Sequence, residues 1–207
     1  MSTAETTLVA DAEGPEVLGS NIAVGARLLS SATAFLFMAF VFAFLYLREL
    51  NTNHAFRMPH SDPPTGFGVA ILACVLGSTA VFSLSRRQLR SGTEGAWRIG
   101  SPVALVLALA VVVLQVAEYL SLSFGAQSGG LASVFFGFSA LFGLFWLGAV
   151  YWIETLWAQS VRRPDSEASG IAAPTQLLRP SADACVVFLY TMAISEILAF
   201  VLLYLVK

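Results

Sequence analysis

The chain has 207 residues, of which 57% are hydrophobic, whereas soluble domains are about 45–50% apolar. Its mean hydropathy of +0.77 leaves room for one membrane domain and excludes a sizeable soluble one. The net charge of −2 does not indicate a class of partner, and no basic tract suggests binding to nucleic acid.

The amino-terminal segment, residues 1–24, is polar and acidic. It lacks the basic region and the short apolar core of a signal peptide. We predict that it forms a mobile tail on the membrane surface. A docking arm for a partner subunit is the alternative.

Five long apolar stretches follow this tail, and each is long enough to cross a bilayer as a helix. A helix rises about 1.5 Å per residue, so roughly 20 residues span a hydrocarbon core about 30 Å thick. The predicted spans cover residues 28–47, 67–85, 99–122, 131–159 and 184–206. We therefore predict an all-α membrane protein, with a membrane domain of five transmembrane helices over residues 25–207.

The arginines and lysines predict the orientation of this bundle. Eight of them fall on the side of the amino terminus and three on the opposite side. Because loops that face the cytoplasm carry an excess of Lys and Arg, we predict that the amino terminus lies inside and the carboxyl terminus outside.

The histidines and cysteines are not spaced as metal ligands. His54 and His60 lie in the first connecting loop, while Cys74 and Cys185 fall singly within apolar spans. Haem and copper sites inside a membrane protein depend on imidazole ligands at membrane depth. We therefore predict no catalytic, cofactor-binding or metal-binding residue in this chain, and a supporting rather than a catalytic role.

Three glutamates lie inside the predicted spans, where an unpaired charge costs several kcal/mol. Glu118 and Glu154 are about one turn from the ends of their spans and are expected to reach the interface, whereas Glu196 is near the middle of its span. Gln115 and Glu118 are three residues apart and share a helical face. Gln115, Glu118 and Glu196 are candidates for a proton path or a lipid headgroup site, or for polar contacts between helices or subunits.

Two further patterns concern packing. Aromatic residues near span ends are expected to form an interfacial aromatic belt. They are Tyr46, Tyr119, Trp152, Trp157 and Tyr204. Small residues four apart predict close helix contacts. The pairs are Ala73 and Gly77, Ala104 and Ala108, and Ser139 and Gly143.

Four local motifs occur in one order along the chain. They are FAFLYLR at 42–48, LGSTA at 76–80, QVAEY at 115–119 and SVFFGFSALFGL at 133–144. In this order the chain resembles subunit III of the haem–copper terminal oxidases, in the short bacterial form with five spans. The resemblance covers about residues 25–206, and the Gln-x-x-Glu-Tyr end of the third span is its most specific part.

The resemblance implies an accessory subunit of a bacterial plasma-membrane oxidase. In that family the subunit carries no redox centre, packs beside the catalytic subunit I, which holds haem and copper, accompanies subunit II, and binds phospholipids in a cleft between helices. Gln115 and Glu118 are the only polar family positions that this chain retains.

The chain departs from the family pattern at three places. The glutamate that the family usually has in the first of these spans falls near Thr33 here, and its two histidines in the fourth span correspond to Phe142 and Phe145. The Trp-His-Phe-x-Asp run of the last span is missing around residues 189–193. These departures put a carboxylate-dependent role in proton uptake in doubt and leave the helical scaffold.

Three other functions are open on the residues alone. A small multi-pass transporter or proton-conducting protein would use Glu118 and Glu196 as its path. An intramembrane hydrolase would need a Ser–His, Asp–Asp or metal constellation at depth, which the spans lack. A structural subunit of another respiratory assembly differs from the main hypothesis only in its partners.

Overall fold

The computed structural model of the chain describes residues 15–51, 56, 62–92, 94–161 and 175–206. These residues form five α-helices and no strand, as the sequence predicts. The helices are α1 (Pro15–Glu49), α2 (Thr65–Arg90), α3 (Glu94–Ser121), α4 (Gly130–Val161) and α5 (Thr175–Phe200). A single π-helical turn, Val201–Leu205, continues α5. All five helices are long and apolar enough to cross a membrane.

All five helices begin before their predicted spans, and α1 and α5 begin earliest relative to the prediction. Helix α1 begins at Pro15, so residues 15–24 of the predicted tail are helical. A proline suits the first position of a helix because its missing N–H would have no partner there. Helix α5 begins at Thr175 instead of 184 and contains Pro180 in its second turn. That proline, which the sequence suggested as a loop residue, packs against Gly19 of α1.

Helix α5 is the centre of the bundle. It packs against α1, α2 and α4, while α3 packs against α2 and α4 on the other side. Half of the most apolar window of α5 is buried, compared with 22% for α1 and 28% for α3. The outer faces of these two peripheral helices are apolar, and Phe35 on α1 and Leu120 on α3 are 78% and 83% exposed.

Side-chain hydrogen bonds to backbone carbonyls join α3 to its neighbours. Ser78 Oγ donates to Ala104 O at 2.9 Å, and Trp146 Nε1 donates to Ala108 O at 2.9 Å. Both alanines are fully buried, which confirms the predicted close contact at this pair. The predicted contact at Ala73 is wrong because this residue is exposed.

An aromatic row along α4 fills the space between α4 and α1. The rings of Phe138 and Phe142 stack with centroids 6.1 Å apart, and those of Phe142 and Trp146 with centroids 5.7 Å apart. Phe37 of α1 approaches Phe138 to 4.8 Å between centroids. Lipid tails are as apolar as these side chains, so close packing rather than water exclusion stabilises the contact.

The two ends of the bundle differ in charge. At one end, which we call the arginine-rich end, α2 finishes and α3 and α5 begin. There Asp183 of α5 accepts hydrogen bonds from the guanidinium groups of Arg86 and Arg90 of α2. The sequence did not predict this ion pair, because Asp183 fell outside the predicted span. At the other end, α1 and α3 finish and α4 begins.

Candidate functional site

A group of buried polar side chains lies in the half of the bundle away from the arginine-rich end, where α3, α4 and α5 meet. We call it the polar cluster, and it consists of Gln115, Glu118, Tyr119, Ser139, Glu196 and Tyr204. Five of these residues, all except Tyr119, line a cavity whose remaining wall is apolar. The cavity offers about 20 Å³ of free volume to the centre of a water-sized sphere. That volume is enough for about one water molecule.

Gln115 joins α3 to α4. Its side-chain amide donates to Ser139 O. Tyr119, one turn further along α3, donates its hydroxyl to Ser139 Oγ at 2.7 Å. A methyl group on Gly143 would lie 2.7 Å from Gln115 Oε1, so the glycine makes room for the amide. The predicted contact at Ser139 and Gly143 is therefore confirmed, with Gln115 as its partner.

Glu118 joins α3 to the π-helical turn at the end of the chain. Its Oε1 accepts a hydrogen bond of 2.7 Å from the Tyr204 hydroxyl. The tyrosine ring packs against Gly68 of α2, where a methyl group would lie 2.7 Å from two ring carbons. The wider π-helical turn sets the direction of Tyr204, and such turns are frequent at functional sites.

Glu196 lines the same cavity from α5. It is 6% exposed, and no hydrogen bond to it is found among the residues that the structure describes. Together with the π-helical turn, the apolar span runs from Leu177 to Leu205, and Glu196 lies nearer to its middle than to its carboxyl-terminal end. It remains shielded there by α2, α3 and α4.

The cluster brings together all three candidate residues, Gln115, Glu118 and Glu196, as lining of one cavity. Of the two positions that the sequence left open for Glu118, the interface and a contact between helices, the structure has the contact between helices, since Glu118 is 1% exposed and accepts a hydrogen bond from Tyr204. Glu154 behaves as expected and is exposed on α4, towards the arginine-rich end.

Tyr119 and Tyr204 are the residues of the cluster that sequence reasoning misplaced. Both were expected in an interfacial belt, and both instead donate hydroxyl hydrogen bonds inside the bundle. Their positions near span ends gave no sign of this. One sequence signal was Gly68, which has no small residue four positions away and therefore does not fit the small-residue pattern of helix contacts. In the structure this glycine makes room for the ring of Tyr204.

The positions at which the chain departs from the oxidase subunit pattern are occupied by packed side chains. Phe142, Leu189 and Met192 are buried and belong to the hydrophobic core. Thr33 is also buried, and no described residue forms a hydrogen bond with its hydroxyl. The described residues include no group of three or more His, Cys, Asp or Glu side chains that could hold a metal ion. His54 and His60 lie outside the described residues.

The polar cluster offers two carboxyl groups, an amide and hydroxyl groups in an enclosed space. Such a set can hold a proton, a water molecule or a small cation, and it contains no activated nucleophile. No family model matches the sequence, and no curated protein matches it.

Proposed function

We propose that this chain is a non-catalytic accessory subunit of a haem–copper terminal oxidase, which stabilises the catalytic subunit and binds lipid in a bacterial plasma membrane. The observation that carries the proposal is the use of Gln115 and Glu118. These are the two polar residues of the Gln-x-x-Glu-Tyr motif, and both are buried in hydrogen bonds that hold α3 to α4 and to the end of α5. The motif therefore has a structural use in the scaffold that the resemblance implies.

The outer surface of the bundle supports a role beside a membrane partner. Helices α1 and α3 expose broad apolar faces, which lipid or a neighbouring membrane subunit has to cover. In this proposal the haem and copper belong to that neighbour, subunit I, with subunit II beside it.

A groove between α1 and α5 supports the lipid-binding part of the proposal. It offers about 170 Å³ of free space, and its lining includes Phe37, Met38 and Ile194. Because most of this lining is apolar, the acyl chain of a lipid matches the groove in polarity. The proposed orientation, with the arginine-rich end in the cytoplasm, follows from the excess of arginine at that end.

One observation favours a second candidate, a small transporter or proton-conducting protein. Glu118 and Glu196 line one cavity, as a path between them would require. The two functions differ in what the protein needs beside it. A transporter acts alone, whereas an accessory subunit stays bound to a haem protein.

Purification through an affinity tag on this chain separates the two. In mild detergent, we expect copurifying chains to include a haem–copper catalytic subunit, identified by mass spectrometry. We also expect reduced-minus-oxidised visible spectra to show its haems. A chain that purifies alone, and that conducts protons in vesicles until Glu196→Gln abolishes the flux, contradicts the proposal and supports the alternative.

Bulky substitutions on the two exposed faces sharpen the test. Ala39→Trp adds volume to the outer face of α1, and Val113→Trp adds it to the outer face of α3. If one face seats the catalytic subunit, one variant loses the haem bands from the purified sample while the other retains them. The variant that retains the haem bands is the matched control, because it shows that a tryptophan on an exposed face permits folding and membrane insertion.

A further inference from the structure

We propose that the cavity of the polar cluster binds one water molecule and one exchangeable proton, shared between the carboxyl groups of Glu196 and Glu118. This site lies in the half of the bundle away from the arginine-rich end. The inference goes beyond the proposed accessory function and does not depend on it, because it follows from the lining of the cavity alone.

The unpartnered state of Glu196 points to the water molecule. Its carboxyl group is almost completely buried and faces a polar cavity, yet no described residue donates a hydrogen bond to it. Buried polar groups are hydrogen-bonded in native structures, and those without a protein partner bind ordered water. The free space suits one water molecule, and Glu118 and Gln115 supply further polar groups around it.

The charge around the cavity points to the proton. The titratable groups that line the cavity with Glu196 are Glu118 on α3 and Tyr204 in the π-helical turn. Helices α1, α2 and α4 contribute no titratable side chain to the lining, and no described arginine, lysine or histidine lines it. Two carboxylates that line one small cavity among apolar side chains cannot both remain ionised, so one proton stays with the pair.

The hydrogen bonds decide which carboxyl group carries that proton. Glu118 accepts a hydrogen bond from the Tyr204 hydroxyl, and such a bond stabilises its ionised form. Glu196 has no donor, so it is the group that carries the proton and becomes a donor itself. The water molecule then accepts from Glu196 and donates to Glu118, which links the two carboxyl groups.

Infrared difference spectroscopy on the full-length chain, purified with its copurifying partners, tests this assignment. We expect wild type to show the carbonyl stretch of a protonated carboxyl group, shifted to lower wavenumber after exchange into D₂O. Glu196→Gln should lose this band completely. Glu118→Gln should keep the band and shift it, since its hydrogen-bond acceptor changes. Glu154→Gln, which removes an exposed glutamate of α4, is the matched control and should leave the band unchanged.

Two further measurements test the water and the proton separately. A band of an isolated water O–H stretch should shift in H₂¹⁸O, and Ala199→Val, which fills the lining, should abolish it. The carboxyl band should be the same in sodium-containing and sodium-free buffer.

Three results overturn the proposal. The first is a Glu196→Gln spectrum identical to wild type. The second is the absence of any isotope-sensitive water band. The third is a carboxyl band that appears only when sodium is withdrawn, which would identify Na⁺ as the occupant in place of the proton.

Discussion

Gly68 on α2 provides the sharpest test of how the polar cluster is held together. In Gly68→Ala the new methyl group would lie 2.7 Å from two ring carbons of Tyr204, whereas carbon atoms in contact prefer about 3.5–4.0 Å. The ring therefore has to retreat by roughly 1 Å. In the wild type the Tyr204 hydroxyl lies 2.7 Å from Glu118 Oε1, so this movement of the ring breaks their hydrogen bond.

Two effects of Gly68→Ala lower the free energy of unfolding, and one smaller effect raises it. Overpacking a tight contact costs about 1–3 kcal/mol. Loss of a hydrogen bond to a charged group costs about 1.5–3 kcal/mol, and alanine regains about 0.5–1 kcal/mol over glycine in a helix. We expect Gly68→Ala to lower the free energy of unfolding by about 2–5 kcal/mol.

Gly77→Ala in the same helix is the matched control. A methyl group there would lie 3.5 Å from Leu107 Cδ1, which is an ordinary contact. Equilibrium unfolding in mixed micelles measures both variants, and Gly77→Ala should be neutral or slightly stabilising. A double-mutant cycle with Tyr204→Leu isolates the contact, because Gly68→Ala should cost almost nothing once the ring is absent. A Gly68→Ala variant as stable as Gly77→Ala, or a cost that persists beside Tyr204→Leu, would refute the reasoning.

Four further predictions follow from individual side chains. Trp146→Phe removes the hydrogen bond to the α3 backbone and should lower the free energy of unfolding by about 1–3 kcal/mol in the same assay. Thr33→Val removes a buried hydroxyl without a partner and should be neutral or stabilising by up to about 1 kcal/mol. Cys185 is fully buried, so N-ethylmaleimide should label Cys74 in the folded protein and Cys185 only after unfolding, as read by mass spectrometry. Gln127→Cys, in the loop before α4, should react with a membrane-impermeant maleimide added to intact cells.

These outcomes have clear opposites. A stabilised Trp146→Phe would show that the indole N–H contributes nothing, and a strongly destabilised Thr33→Val would show that its hydroxyl is bonded. Rapid labelling of Cys185 would contradict the central position of α5. Gln88→Cys, at the arginine-rich end, is the control for orientation, and its labelling in intact cells instead of Gln127→Cys would reverse the proposed topology.

The fold was largely predictable because a membrane span imposes one strong requirement. Every backbone polar group has to be bonded within the segment, so a long apolar stretch of the chain becomes a helix. The start of α5 was missed because Pro180 and Asp183 are typical of loops. Both are accommodated inside the helix by partners far away in sequence, Gly19 for the proline and arginines of α2 for the aspartate.

The candidate site was only half predictable for a related reason. Glu118 and Glu196 were conspicuous because ionisable residues are costly in hydrocarbon, and helical spacing placed Gln115 beside Glu118. Nothing in the local sequence shows that the last turn of the chain widens into a π-helical turn. That turn directs the Tyr204 hydroxyl to Glu118, so the partner of this carboxyl group depends on tertiary structure.

The two peripheral helices are attached to the bundle by different kinds of contact. Helix α3 has hydrogen bonds to α2, α4 and the π-helical turn. Helix α1 has ring contacts such as Phe37 on Phe138 and forms a groove with α5. Its Ser30 and Thr33 hydroxyl groups are buried and have no hydrogen-bond partner among the described residues. Hydrophobic burial does not join helices within lipid, so polar bonds and close packing decide their affinity. Close packing of rings therefore contributes to the attachment of α1, and side-chain hydrogen bonds contribute to that of α3.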